Sequence, residues 1–138
     1  MMSNYIKTLA DTNNKFIESV KKELSVDKIT VQTMLSNPNT NGNGKILILG
    51  ALLNSVTEKL YMIKTLEQKS FVTSRNAIFN ESEKNMIVVY AYMMGEIGTK
   101  MEEIKSTLLT SPTDCKGLID LYDQVINLLD KNKELMTY

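Results

Sequence analysis

Apolar residues recur every three or four positions over four long segments of this chain. The clearest run lies near the middle, where the steps alternate between three and four. Its members are Ile87, Tyr90, Met94, Ile97, Met101, Ile104 and Leu108. This spacing places an apolar stripe along one face of an α-helix. The whole pattern predicts four amphipathic helices, over about residues 3–24, 44–69, 82–109 and 112–135.

The second predicted helix has the most apolar sequence. Its seam consists of Ile46, Leu49, Leu53, Val56, Leu60 and Ile63. Ile48 and Leu52 add a second stripe, so the first half of this helix is apolar nearly all round and is expected at the centre of the core. The residues after Lys69 form helices poorly, and a continuation of the helix to residue 79 stays open.

The stretch between the first two helices is ambiguous. Residues 28–36 alternate with β-branched side chains, which suits a short strand, and a short helix opened by Asp27 fits equally well. Residues 37–44 are rich in Asn and Gly and are expected to form a loop. Asn13 falls where an apolar core residue would be expected. We interpret it as a solvent-facing position, the alternative being a buried Asn that fixes helix register.

Capping residues predict where the last two helices begin. Asn80 or Ser82 opens the third helix, with acidic residues in its first turn. Ser111 is predicted to cap the fourth helix, with Pro112 at its first helical position. Amphipathic helices with short connections predict a single all-α domain: an antiparallel four-to-five-helix bundle with coiled-coil-like seams.

Charge and composition narrow the classes of function. The chain has 138 residues, with 16 basic and 16 acidic side chains. A net charge of zero argues against general nucleic-acid binding, which relies on neutralising phosphates. Cys115 is the only cysteine, which suits a reducing cytoplasm. The longest apolar runs fall short of the roughly 20 residues of a membrane helix, so no membrane contact is expected. The preference for Lys and Asn over Arg is typical of an AT-rich genome, such as that of a low-GC bacterium, a virus or a phage.

The stretch NTNGNGK, residues 39–45, resembles a phosphate-binding loop only superficially. Asn39 stands where the first glycine should be, and Ile46 follows the lysine in place of the Ser or Thr that would hold magnesium. The chain also has no histidine, which excludes His-based triads and His-containing zinc sites. We therefore expect no catalytic residues, no metal and no cofactor.

Small residues in the third helix suggest where a partner docks. Ala91, Gly95 and Gly98 share one helix face, and a glycine in mid-helix costs about 1 kcal/mol relative to alanine. Close approach of another helix, from this chain or a second one, would compensate. With Met94 and Met101 they form the expected partner or self-association surface, most often in a two-fold dimer.

Two functions from different classes follow. The first is a non-enzymatic protein-interaction module, such as an adaptor, chaperone or inhibitor, that acts through helix–helix contacts. The alternative is a sponge-like protein that binds a small anionic ligand or a nucleotide. Its site would use Lys45, Arg75 and the tyrosines Tyr90 and Tyr92 at a crevice between helices.

Overall fold

The computed structural model describes residues 4–135, of which 87% are helical. Four α-helices follow one another along the chain: α1 (Asn4–Thr30), α2 (Gly42–Thr73), α3 (Glu81–Thr110) and α4 (Cys115–Leu135). No strand occurs between residues 4 and 135. The prediction of an all-α helical bundle is confirmed. Ser3, where the sequence starts the first helix, lies outside the described residues.

The first helix is longer than predicted. It runs past residue 24 to Thr30 and continues as a π-helical turn, Val31–Leu35, so the strand considered for residues 28–36 is wrong. Buried Val31 and Leu35 pack into the core and hold this stretch helical. The hydroxyl of Thr33 donates to the Ile29 carbonyl at 2.8 Å. Such bonds satisfy polar side chains whose local preference is for other conformations.

The ends of the other helices follow from their caps. α2 begins where Asn41 accepts a hydrogen bond from the Gly44 N–H at 2.7 Å, and it ends at Thr73 without continuing to residue 79. Asn80 and Glu83 form a reciprocal capping box at the start of α3, which confirms Asn80 rather than Ser82 as its cap.

The predicted start of α4 is wrong by three residues. Ser111 caps the C-terminal end of α3, with its N–H donating to the Thr107 carbonyl. Pro112 lies in the turn that follows. Asp114 caps α4, because its carboxylate accepts from the Gly117 N–H at 3.0 Å. An aspartate directly before the helix suits the positive end of its dipole better than the serine does.

Three of the four neighbouring helix pairs pack closely, and the fourth does not. α2 lies against α3, α3 against α4, and α4 against α1, whereas contact between α1 and α2 is sparse. Ion pairs tie α1 to α4, including Lys21 with Asp130 at 2.8 Å and Lys133 with Glu18 at 3.1 Å. The bundle is therefore closed on three sides and open between α1 and α2.

The first half of α2 does not lie at the centre of the core, contrary to the sequence-based expectation. Ile46 is 67% exposed and Leu47 is 75% exposed. Leu52 is the first buried residue of the helix. Ile48, Leu49 and Leu53 are partly buried and pack against the core, whereas nothing within residues 4–135 covers the helix at Ile46 and Leu47. Burial within the described residues therefore explains only part of the apolar character of this half of α2.

Asn13 is buried, with 5% of its surface exposed, which corrects the expectation that it faces water. Its Nδ2 has no hydrogen-bond partner among the described residues. Asn13 lies on the apolar stripe of α1 with Ile6, Ala10 and Ile17. Its position on this stripe places it in the core, and the unpaired buried amide lowers the stability of the folded chain.

Candidate functional site

The small residues of α3 face α2 within the same chain. Ala91 and Gly98 are buried. A Cβ atom added at Gly98 would lie 3.8 Å from Leu60 of α2, and one added at Gly95 would lie 2.5 Å from the Glu67 carboxylate. The short side chains thus let α2 come close to α3. The crossing of α2 and α3 within the chain explains these small residues. Met94 and Met101 are fully buried, so neither is exposed on a surface that a partner could contact.

Two substitutions at Gly98 should distinguish the effect of helix propensity from that of packing between α2 and α3. Gly98→Ala is expected to stabilise the protein by about 0.5–1 kcal/mol, because its Cβ would make an ordinary contact and alanine lowers the entropy of the unfolded chain. Gly98→Leu should instead destabilise it by about 1–3 kcal/mol through overpacking. Urea unfolding measures both. A Gly98→Leu protein as stable as the wild type would show that α2 does not approach α3 at this point.

The four residues expected to bind an anionic ligand lie at different places. Lys45 and Arg75 lie at opposite ends of α2, about 45 Å apart for 30 residues at 1.5 Å each. Tyr90 is fully buried, and burial raises the pKa of its hydroxyl. Tyr92 is exposed and meets the ring of Phe71 edge-on, with centroids 5.2 Å apart. The structure does not bring these four residues together.

Lys45 is the only cation among the described residues that line the cavity beside it. Lys45 borders a cavity of about 310 Å³ between the N-terminal ends of α2 and α4, next to Pro112 and half-buried Cys115. The Asp114 carboxylate already occupies the start of α4, where an anionic ligand would otherwise bind. Among residues 4–135, no group of three or more Cys, Asp or Glu side chains is arranged to hold a metal ion.

A large cleft lies between α1 and α2, and the sequence did not predict it. Its wider part has a volume of about 700 Å³ and is lined by Ser19, Lys22, Glu23, Val26, Asp27, Asn54, Ser55, Glu58 and Lys59. Its apolar part has a volume of about 310 Å³ and is lined by Thr12, Asn13, Phe16, Tyr61, Met62, Thr65, Leu66 and Lys69. These two parts follow the one side of the bundle that no neighbouring helix closes.

Two polar contacts set the register of α1 against α2. The Ser55 hydroxyl donates to the Asp27 carboxylate at 2.5 Å. One turn away, Lys59 forms an ion pair with Glu23. Lys59 is 6% exposed, so this pair holds a nearly buried ammonium group whose charge would be costly without a partner. The two contacts hold the helices level with each other at the floor of the groove.

Asp27 should make stability depend on pH in the opposite direction to a salt-bridged carboxylate. Burial raises the pKa of Asp27 above its usual 3.8, although the hydrogen bond from Ser55 acts against the increase. The folded chain then binds this proton more tightly than the unfolded chain. The resulting stability is present below pH 3.8 and is lost as the pH rises through the raised pKa.

Asp27→Asn tests this sign, since an amide oxygen still accepts from Ser55 and carries no charge. The unfolding free energy of the variant minus that of the wild type is expected to be larger at pH 7 than at pH 3.5. This difference should grow as the pH rises through the raised pKa of Asp27. Urea unfolding at several pH values measures the difference. A difference that is flat with pH, or that shrinks as the pH rises, would mean that Asp27 is not desolvated by the fold.

α2 also has the most apolar sequence of the four described helices. By length and composition alone it is the one helix of residues 4–135 that could cross a membrane, yet only 28% of its most apolar stretch is buried. Its exposed residues Leu47, Gly50 and Ala51 recur at helical spacing with Asn54, which lines the groove. The groove therefore continues into an uncovered apolar face.

Comparison of the chain with models of known protein families, with curated proteins and with solved structures found no match. Within residues 4–135 the helices form a bundle with one open side, between α1 and α2.

Proposed function

We propose that the protein is a non-enzymatic interaction module that binds the helical surface of a protein partner along the groove between α1 and α2. The observation that carries this proposal is the open side of the bundle. α1 and α2 hardly touch, although both have apolar residues there, and large side chains such as Leu47 and Tyr61 remain 75% and 73% exposed. Exposed apolar surface of this kind marks interaction sites.

The shape of the groove favours a helix as the bound element. Two antiparallel helices that diverge leave a long trough, and an amphipathic helix can lie in such a trough with its apolar face inward. Phe16, Met62 and Leu66 line the apolar part and would receive large side chains of the partner. A reducing compartment such as the cytoplasm suits the single cysteine, half-buried Cys115.

Photo-crosslinking from the groove tests the proposal. Benzoylphenylalanine at Tyr61 should crosslink to protein in the cells that produce this chain. At Val89, which is 51% exposed beside the close contact of α3 and α4, it should give no adduct. Adducts from both positions, or from neither, would contradict a binding site in the groove.

Nucleotides should not stabilise the protein. We expect mono-, di- and cyclic nucleotides to leave the melting temperature unchanged, because Lys45 and Arg75 lie at opposite ends of α2. A true ligand at a hundredfold excess over its Kd would add about 2.7 kcal/mol. An upward shift that disappears in the Lys45→Ala, Arg75→Ala double variant would replace the interaction module with an anion-binding function.

A further inference from the structure

The open side of the bundle is apolar at the end where the chain connects α1 to α2, and it is charged in its middle. We call it the α1–α2 face and define it by Lys22, Val26 and Ile29 of α1 and by Leu47, Gly50, Ala51, Glu58 and Tyr61 of α2. At the apolar end, Val26 is 57% exposed and Ile29 is 54% exposed. Between Ile46 and Thr57, α2 has no charged residue. A surface that covers this end must itself be apolar and uncharged.

Gly50 has no explanation within the described chain. A Cβ atom added there would meet nothing within 4 Å, in contrast to the two glycines of α3, which face α2. A glycine inside a helix costs about 0.5–1 kcal/mol relative to alanine. Together with Ala51, it leaves a shallow place on the face into which a larger side chain of an opposing helix fits.

Two opposite charges lie on the two lips of the groove. Lys22 of α1 and Glu58 of α2 both line it, but they form no ion pair with each other among residues 4–135. Glu58 approaches only Lys59, at 3.7 Å, and Lys59 is already paired with Glu23. Each lip thus presents a charge toward whatever occupies the groove.

The register of the helices places these charges at the same height. Since Glu23 pairs with Lys59, the neighbouring Lys22 and Glu58 lie within one helical turn of the same level. If two copies met face to face about a two-fold axis parallel to the helices, Lys22 of each would lie opposite Glu58 of the other. A perpendicular axis at this level would set Lys22 against Lys22, which electrostatics opposes. The face is self-complementary in the first arrangement only.

Side-chain size agrees with the same arrangement. The pairing of Asp27 with Ser55 places Ile29 of α1 within about one turn of the level of Ala51. A parallel two-fold axis sets α1 of one copy against α2 of the other. Ile29 of the second copy then approaches the shallow place at Gly50 and Ala51, so a large side chain meets small ones.

The dimensions of the face match those of a stable dimer. Together with the apolar part of the groove, the α1–α2 face follows α2 from residue 46 to residue 69, which is about 36 Å, and two helices side by side are about 20 Å wide. The product is on the order of 700 Å², against roughly 800 Å² that each partner buries in a standard interface. A second copy covers the whole face, whereas a single partner helix would cover about half of it.

We infer that the α1–α2 face pairs with the same face of a second copy about a two-fold axis parallel to the helices, with Lys22 of each copy opposite Glu58 of the other. This inference rests on the proposed function and names its partner. It accounts for the exposed apolar residues in the first half of α2, for Gly50 and for the opposite charges on the two lips of the groove by one contact.

Sedimentation equilibrium of the full chain and of charge-reversed variants tests the inference. The wild type is expected to be dimeric at micromolar concentrations. Lys22→Glu or Glu58→Lys alone should raise the dimer Kd at least about tenfold, because each brings like charges together at two symmetry-related contacts. The double variant should return to within about threefold of the wild-type Kd. Lys131→Glu on α4, an exposed position outside the face, is the matched control and should change nothing.

A second variant separates pairing from folding. Gly50→Leu adds a side chain into open space within the chain, so the helical signal in circular dichroism should stay unchanged while the dimer Kd rises. A wild type that stays monomeric to about 1 mM overturns the inference, as does a double variant that dissociates like the single ones. If the monomer is crosslinked through Tyr61 to a different protein, the proposed function stands and self-pairing falls. If it instead floats with lipid vesicles, α2 contacts a membrane and self-pairing is also wrong.

Discussion

Leu52→Ala is expected to lower the free energy of unfolding by about 2–5 kcal/mol, whereas Leu47→Ala leaves it within about 0.5 kcal/mol. The two residues have the same side chain and lie five positions apart on α2. Leu52 is 1% exposed and Leu47 is 75% exposed. Truncation of the first removes buried methyl groups and leaves a cavity, while truncation of the second removes atoms that water already surrounds.

Urea unfolding at sub-micromolar concentration measures this pair, because self-association then adds least to the apparent stability. At high concentration Leu47→Ala should also destabilise the protein, since it lies on the α1–α2 face. If Leu47→Ala cost as much as Leu52→Ala at low concentration, the first half of α2 would be packed within the monomer. That result would contradict the open side of the bundle between α1 and α2.

The helices that the sequence predicted best are those whose apolar stripe is buried within the chain. In α3, Ile87, Ile97 and Ile104 recur at helical spacing and all are fully buried, so periodicity and burial agree. The N-terminal end of α3 was also predicted, because a side-chain cap and an acidic first turn are local features. Local chemistry was enough wherever a helix end depended on the nearest few residues.

The first half of α2 shows where periodicity fails. Residues of the predicted seam that pack on the core, such as Leu49 and Leu53, have the same spacing as Ile46, which is 67% exposed, so the pattern could not show which of them are buried. The same limit applied in reverse to Asn13, whose polar side chain suggested solvent. Burial depends on which helix lies opposite, and that is a property of the tertiary packing.

The proposed α1–α2 face could not be predicted from the sequence for the same reason. Lys22 and Glu58 are ordinary charged residues 36 positions apart in the sequence, and only the contacts between Glu23 and Lys59 and between Asp27 and Ser55 bring them level. The glycines of α3 are unfavourable inside a helix, and the close approach of α2 explains them. Gly50 is equally unfavourable within a helix, and nothing in residues 4–135 lies close enough to explain it.

Asn132→Leu is expected to stabilise the protein by about 1–3 kcal/mol. Asn132 is fully buried in α4, and neither Oδ1 nor Nδ2 has a hydrogen-bond partner among the described residues. A buried polar group without a partner costs about 1–3 kcal/mol. Leucine keeps the branching and the number of heavy atoms while removing both polar atoms. Thermal and urea unfolding measure the gain, and Asn127→Leu, an exposed position on the same helix, serves as the control.

The effect of Asn132→Leu also shows whether the buried polar groups stabilise or destabilise the bundle. Four further buried groups lack partners in the described chain: Nδ2 of Asn13, Oδ1 of Asn14 and the hydroxyls of Tyr90 and Tyr122. If Asn132→Leu stabilises the monomer and leaves the dimer Kd unchanged, these groups are a stability cost independent of the α1–α2 face. A destabilised Asn132→Leu protein would contradict the prediction, because it would mean that the amide is satisfied in the folded state. The polar interior would then hold the bundle together instead of weakening it.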